Sequence, residues 1–475
     1  MTIIETTQSI CPECKKNIPA QIVEFEKKIY MKKHCPDHGD FSDLYWGDAS
    51  TYRDQMALVD SDSQQSTKKT PCPSECGLCE NHKSSTVLAN IDITTRCNFS
   101  CPTCFADAFN ANASQFDLSI EEISHRMDVL KAVKPPCHSI QFSGGEPTLH
   151  PEFFQIVRLA REKGFVQLQV ATNGKRLADD KAFARQLAAS DFDTVYLQFD
   201  GVTPKPYEHL RGFNALPIKL RAIENIRDAG PRPNIVLVPT IVNGVNDHQI
   251  GEIIQFALKN SDVVRGVNFQ PVSIVGRIDQ NQLRQQRITI PDIILRISSQ
   301  FMKEIQFQDF FSVYSAREAL TVFDKIEPRG FPVLNTHPLC GYWTFLLKTN
   351  WRVIPISQVI HVHRLFNYFK RIKSRSKFEM ICGVVLNLHT FFYWNRPVET
   401  WQLFLKLLRL WMTRSMVSAS SLFNNKDILF IGMMHFMDPY NLDMRRLERC
   451  CVHYAIENDR IVPFCSYNLF YRQSS

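Results

Sequence analysis

Hydrophobic and polar positions along the chain change their period near residue 88. From there, short runs rich in β-branched residues recur at Leu88–Thr94, Ser139–Phe142, Val166–Ala171, Thr194–Phe199, Ile235–Val242 and Val264–Gln270. Between them, over 118–133, 152–163, 179–189, 217–229 and 247–259, apolar residues return at the spacing of a helix with one buried face. The first of these helices opens with Ser119 and Glu122, a capping box that satisfies amide groups at a helix start. Six strands alternating with helices predict α/β architecture, parallel βαβ units joined by right-handed crossovers. Six repeats, where a closed barrel has eight, predict a partial (βα)6 TIM-like barrel with its chemistry at the C-terminal ends of the strands.

The flanks read differently. Residues 1–83 hold a strand-like stretch, Ala20–Met31, among cysteines, and a polar, linker-like segment at 58–70. Residues 276–475 hold a helical pattern at Pro291–Phe307 and an apolar stretch, Ile381–Trp394, too short to span a bilayer. Within them, 401–416 places Gln402, Lys406, Arg409 and Thr413 as one narrow polar stripe on an apolar helix, which suits either a core or a membrane interface. Three units follow: a Cys-rich metal-binding region at 1–83, a core domain at 84–275, and a helical, Cys-containing extension at 276–475.

Composition narrows the class. The 475 residues are 44% hydrophobic and 22% charged, ordinary for a globular protein with a sizeable core. The net charge of +7 is too mild and too scattered to suggest nucleic acid. One run stands apart: Arg364, Lys370, Arg371, Lys373, Arg375 and Lys377 carry no acid among them, as a solvated face or an attraction for anionic head groups. Fifteen cysteines are many, and the N-terminus has no basic stretch followed by an apolar core. The expected setting is cytoplasmic, with peripheral membrane contact left open, and the clustered cysteines are expected to bind metal.

Those cysteines form four groups. Cys11 and Cys14 in a CPxC turn, with Cys35 and then His38, make a knuckle pair suited to zinc or a single iron, His38 being either the fourth ligand or a surface residue. Cys72, Cys76 and Cys79, followed by His82, form a second set that either shares that ion or holds an iron–sulfur cluster. Cys97, Cys101 and Cys104 lie on a tight loop directly after the first core strand. Cys340, Cys450 (or Cys451) and Cys465 suggest an auxiliary cluster in the last third. At the ends of the later core strands stand Gly144-Gly145-Glu146, Asn173, Gln198 with Asp200, and Gln270. Each alone is an ordinary turn; their order is specific.

The C-x3-C-x2-C loop after the first strand and the Gly-Gly-Glu after the second resemble the radical S-adenosylmethionine (SAM) enzymes. The resemblance implies that Cys97, Cys101 and Cys104 hold a [4Fe–4S] cluster whose open iron chelates SAM. One electron then splits the sulfonium to a 5′-deoxyadenosyl radical that abstracts hydrogen from an unactivated carbon. It implies that Gly144, Gly145 and Glu146 hold the methionine amino group, and that Asn173, Gln198, Asp200 and Gln270 serve ribose and carboxylate. The family's usual aromatic before the third cysteine is absent: the residue is Thr103, and Phe105 follows instead. The CPxC…CPxHG knuckle, TTRCNFSCPTCFA and the terminal MHFMD and PFCSYN stretches are similar to the branch of tetraether lipid synthases and pterin-methylating enzymes. That branch implies auxiliary clusters, a mononuclear iron or zinc, and an electron donor such as ferredoxin or flavodoxin. The expected reaction is carbon–carbon bond formation on a lipid-like substrate. The alternatives are methylation of a pterin or other small molecule, and a non-catalytic metal-binding module.

Overall fold

Four antiparallel strands, β1 (Thr2–Ile10), β2 (Asn17–Phe25), β3 (Lys28–Cys35) and β4 (Gly39–Trp46), form the N-terminal sheet in that order. In β2, buried Ile18, Ala20 and Ile22 alternate with exposed Asn17, Pro19 and Gln21, so one face packs inward. The computed structural model describes residues 1–59, 72–73, 77–108, 116–190, 192–326, 330, 332–349, 352–393 and 426–472. Cys76, most of the 58–70 linker and the striped segment 401–416 lie outside the described residues. Helix α1 (Ala49–Met56) closes the region, capped by the Asp48 carboxylate, which accepts from Thr51 N at 2.7 Å.

The six expected strands are present as β5 (Leu88–Thr94), β6 (Ser139–Gly144), β7 (Gln167–Thr172), β8 (Thr194–Gln198), β9 (Asn234–Val238) and, after the short β10 (Thr240–Ile241), β11 (Val264–Pro271). Between them run α2 (Ile120–Ala132), α3 (Phe153–Glu162), α4 (Lys175–Asp179), α5 (Lys181–Ala189), α6 (Pro204–Arg211), α7 (Leu216–Ala229) and α8 (Ile250–Lys259). The Ser119–Glu122 capping box starts α2. Helices α4 and α6 escape the sequence pattern because 5 and 8 residues are too few to display a helical period.

The last third supplies β12 (Phe311–Ser312), β13 (Gly341–Lys348), β14 (Val353–Pro355), β15 (Ile428–Met434), β16 (Val452–Ala455) and β17 (Ile461–Pro463). β15 pairs parallel with β11 and β16 pairs parallel with β5, giving a parallel array in the order β15-β11-β9-β8-β7-β6-β5-β16. The extension is therefore not only helical: it adds an outer parallel strand at each side of the core sheet. The two sides meet through aromatic rings, since Phe436 after β15 stacks on Phe464 after β17 with centroids 4.1 Å apart. Met437 N also donates to Cys465 Sγ at 3.3 Å.

Elsewhere in this third, Lys370, Arg371, Arg375 and Lys377 face solvent, and Lys373 pairs with Glu318 at 3.0 Å. Among the described residues no helix is long and apolar enough to cross a membrane.

The N-terminal sheet is clamped to the 438–446 segment by buried polar groups. Asp443 accepts from Thr7 Oγ1 at 2.7 Å and Tyr45 Oη at 2.9 Å, and Arg445 pairs with Glu5 at 2.6 Å. Arg284 holds Asp43 at 2.5 Å, and Lys33 Nζ donates to the Pro439 carbonyl at 2.6 Å. Burial alone would raise the Asp443 carboxyl, but the Arg445 charge and the hydrogen bonds outweigh it and hold it at about 2. A depressed carboxyl stabilises above its unfolded value of about 3.9 and loses that contribution as pH falls toward 2, so the clamp holds through the neutral range. Asp443→Ala, which leaves Thr7 and Tyr45 without their acceptor, is expected to cost about 3 kcal/mol. Amide exchange is the measurement: β1–β4 should lose protection while β6–β8 keep theirs.

Candidate active site and metal centres

The loop that carries Cys97, Cys101 and Cys104 is stitched to its neighbours by backbone. Gly145 N donates to the Thr94 carbonyl at 2.8 Å and Glu146 N to the Arg96 carbonyl at 2.7 Å. A Cβ at Gly144 would stand 2.1 Å from the Thr94 oxygen, and one at Gly145 would stand 2.2 Å from the Arg96 oxygen. Only glycine allows this approach. On the far side, Cys104 and Arg277 exchange backbone bonds of 2.8 and 3.0 Å, and Arg277 Nε donates to the Cys101 carbonyl at 3.0 Å.

A cavity of about 320 Å³ opens at the strand ends and brings the three thiols together with Gly144, Gly145, Asn173, Gln198 and Gln270. Thr103, Phe99 and Phe105 also line it, Phe99 being 5% exposed. Burial pushes the Cys97 thiol up to about 12 and raises Cys101 as well. Such thiols keep their protons until a metal replaces them.

Two of the candidate residues stand behind the wall, which corrects the sequence reading. Glu146 is 1% exposed and its carboxylate is filled, taking Thr148 Oγ1 at 2.6 Å, Thr172 Oγ1 at 2.7 Å and Asn173 N at 2.7 Å. It ties the end of β6 to the end of β7. Asp200 is fully buried and grips Arg211 through two bonds of 2.8 Å, while also accepting from Gln198 Nε2. Arg211, not Asp200, reaches the cavity, and its Nη1 donates to the Thr103 carbonyl at 3.1 Å.

The sequence reading missed Arg211 and Lys219. Lys219 is fully buried, and its Nζ donates to the Asn173 carbonyl at 2.5 Å and to Gln198 Oε1 at 2.7 Å. Burial lowers its ammonium to about 7. A signal existed, because Lys219 occupies the apolar stripe of α7 with Ala222, Ile223 and Ile226.

In the N-terminal sheet, the β1–β2 and β3–β4 turns bring Cys11, Cys14, Cys35 and His38 together with all ligand atoms within 4.8 Å of one another. His38 Nδ1 lies 3.5 Å from Cys35 Sγ and 3.7 Å from Cys11 Sγ, so it completes the set rather than facing solvent alone. Three thiols and one imidazole suit tetrahedral zinc.

Cys72 packs against the C-terminal apolar cluster, and its carbonyl accepts from Asn17 Nδ2 at 2.7 Å. His82 is committed elsewhere, with Nε2 at 2.7 Å from the Cys450 carbonyl and 3.1 Å from His453 Nε2. Near it Cys450 neighbours Cys340, Cys451 and Cys465, and Cys340 and Cys465 flank Arg446, which is 1% exposed. Arg446 Nε lies 3.5 Å from Cys340 Sγ and Nη2 donates to the His435 carbonyl at 2.9 Å, yet Nη1 has no partner among the described residues. Neither ring nitrogen of buried His435 has one either. Burial pushes the Cys451 and Cys465 thiols up to about 12.

His38→Ala is expected to release the N-terminal metal at a chelator concentration that leaves the parent protein loaded. Metal analysis after dialysis reads this directly, and retention of the metal would return His38 to the surface.

Compared with known proteins, residues 91–257 match the family described as the radical SAM superfamily, and residues 3–47 match the HMPTM N-terminal zinc ribbon domain. The chain is 42% identical over 478 residues to the 7,8-dihydro-6-hydroxymethylpterin dimethyltransferase of Methanocaldococcus jannaschii, covering 98% of this chain and 94% of that one. It is 37% identical over 116 residues to the S-adenosylmethionine-dependent nucleotide dehydratase of Selenomonas ruminantium, 24% of this chain and 40% of that one. Among solved structures, Streptococcus suis SuiB bound to S-adenosylmethionine has a TM-score of 0.38 at 16% identity, covering 46% of this chain and 47% of that one. The lipid chemistry placed first in the sequence reading has no counterpart in these likenesses, whereas its alternative, pterin methylation, does. With a relative this similar along nearly its whole length, the chain belongs to the radical SAM superfamily, in its pterin-methylating branch, and is an enzyme of the kind that uses S-adenosylmethionine and an iron–sulfur cluster.

Proposed function

We propose that this enzyme methylates a reduced pterin by radical chemistry. The observation that carries the reading is the 42% identity to the dimethyltransferase along 98% of the chain, which takes in the N-terminal sheet, the barrel and the C-terminal thiols. The site fits the cofactors of the family. Cys97, Cys101 and Cys104 share one loop and one cavity, and would hold three irons of a [4Fe–4S] cluster with the fourth open to ligand. The Gly144–Gly145 backbone leaves room for the methionine end of SAM, and Asn173, Gln198 and Gln270 offer polar groups to the remainder. When bound, cluster and SAM supply a one-electron route to hydrogen abstraction from an unactivated carbon, fed by a donor of the ferredoxin or flavodoxin kind.

The chain's own residues position and insulate. Arg211 fixes the loop at Thr103, with Asp200 holding its guanidinium in place. Lys219 joins the ends of β7 and β8 by bonding Asn173 and Gln198 together. Cys11, Cys14, Cys35 and His38 take zinc or a single iron. Cys340, Cys450 and Cys465 take an auxiliary cluster, with Cys72 packed in the same quarter; the orphaned Nη1 of Arg446 and ring of His435 are polar atoms that such a group would satisfy.

Anaerobic reconstitution with iron and sulfide, followed by SAM, reductant, 6-hydroxymethyl-7,8-dihydropterin and a one-carbon donor (a second SAM or a reduced folate), is expected to yield 5′-deoxyadenosine and methionine from the cleaved SAM, and a pterin carrying the donor's methyl group by mass. Cys97→Ala should reduce all of these to background, and product formation unaffected by that change would sink the reading. Unchanged pterins alongside altered extracted lipids would instead favour carbon–carbon coupling on a lipid. Gly145→Ala, which drives a Cβ into the Arg96 carbonyl, is expected to lose loop iron while the N-terminal metal stays bound. Iron and zinc analysis of the same sample separates the two sites.

A further inference from the structure

The barrel interior carries a second ring of polar side chains that the reading above does not use. Gln141 on β6, Tyr196 on β8 and Asn268 on β11 each lie two residues before Ser143, Gln198 and Gln270 on the same strands. A spacing of two keeps them on the same face, one step deeper in the lumen. The three strands alternate in the sheet, with β7 and β9 between them, which is how a parallel barrel builds one interior layer. All three side chains line the cavity that holds the thiols.

Their hydrogen bonding is unfinished. Asn268 is 3% exposed, and no hydrogen bond reaches its carboxamide among the described residues. The Tyr196 hydroxyl faces the cavity and has no protein partner among them either; burial of the ring region pushes it up to about 12, and it is a donor at neutral pH. Gln141 gives Nε2 to Asn90 Oδ1 at 2.9 Å, and Asn90 gives its own Nδ2 to the His453 carbonyl at 3.3 Å. That chain fixes the Gln141 amide and leaves Oε1 to accept. Space for Asn268 depends on Gly432, where a Cβ would stand 2.8 Å from Asn268 Oδ1. Polar groups that face a cavity without a protein partner are placed to meet a ligand there.

Another wall of the same cavity is aromatic. Phe105, Phe436 and Phe464 line it in near-parallel stacks, Phe105 and Phe464 at 5.3 Å and 22°. The wall's two cations are committed, Arg211 to Asp200 and Arg472 to Asp92 at 2.7 Å. The lumen therefore offers hydrogen bonds and flat apolar surface, with its cations already paired.

We infer that Gln141, Tyr196 and Asn268 form the substrate subsite and take an uncharged planar heterocycle by its amide-like edge, with a ring face against the aromatic wall. The inference rests on the pterin reading and deepens it. A carboxamide such as Asn268 matches an amino–oxo edge with one donor and one acceptor, Gln141 Oε1 accepts a ring N–H, and Tyr196 donates. An aliphatic chain in this place would leave all three groups desolvated and unpaired.

The test is calorimetric titration of 6-hydroxymethyl-7,8-dihydropterin into anaerobic, iron-loaded protein without reductant. Asn268→Leu is expected to weaken binding about tenfold, and Tyr196→Phe, which removes one oxygen and nothing else, about three- to tenfold. The diphosphate ester of the same pterin is expected to bind more weakly than the free alcohol, for want of an unpaired cation. If the parent protein binds the pterin and both variants match it, the subsite is elsewhere and the function stands. If the parent protein takes up no pterin at all, the proposed function falls and this assignment falls with it.

Discussion

Two backbone hydrogen bonds, from Gly145 to the Thr94 carbonyl and from Glu146 to the Arg96 carbonyl, set the height of the thiol loop above the barrel. They begin a circuit. Glu146 takes Thr172 and Asn173 from β7; the Asn173 carbonyl takes Lys219, which also holds Gln198. Gln198 donates to Asp200, Asp200 grips Arg211, and Arg211 returns to the loop at the Thr103 carbonyl. The loop is thus held at its start and just before its third cysteine by one connected network. Glu146, Asp200 and Lys219 are buried, so removing any one of them leaves its neighbours without a partner, which costs more than the bond itself. Three thiols fixed this way keep their spacing without help from local helix or strand.

Much of this was legible in the sequence and some could not be. The six core strands and the alternation with helices showed in the apolar period, and the cysteine spacing marked the loop. Glu146 and Asp200 stand at strand ends as expected, with their carboxylates taken by protein donors, because a strand end tells where a carboxylate sits and not which donors reach it first. Arg211 went unnoticed on a helix too short to show a period, and Lys219 sat in a largely apolar stripe as its one charged residue. The outer parallel strands β15 and β16 carried apolar runs, yet their pairing joins residues such as Gly266 with Phe430 and Val452 with Leu88. No local signal encodes a partner so far along the chain.

Those distant pairings bind the three regions into one working unit. β15 and β16 place the Phe436–Phe464 stack across the mouth of the parallel array, and the same turn that follows β15 receives Asp443 and Arg445 for the N-terminal clamp. The metal-binding turns of the N-terminal sheet are therefore anchored to the segment that also carries Arg446 and, one strand away, Cys340 and Cys465. A sheet of four strands with a small core gains rigidity from the clamp at one end and, on the proposed reading, from a metal at the other.

Charge explains why the thiol groups lie where they do. Two fully buried cations, Lys219 and Arg446, have no carboxylate within salt-bridge distance among the described residues, and each neighbours a set of thiols. Burial outweighs the more distant Asp200 and Glu146 charges and draws Lys219 down to about 7. Thiolate-ligated clusters are anionic at their rims, so on the proposed reading each cation faces the charge that would compensate it. The guanidinium of Arg446 cannot escape by losing its proton, as an ammonium can. It instead donates to the His435 carbonyl and lies over the Tyr45 ring, and on the proposed reading thiolates held by metal at Cys340 would add the missing negative charge.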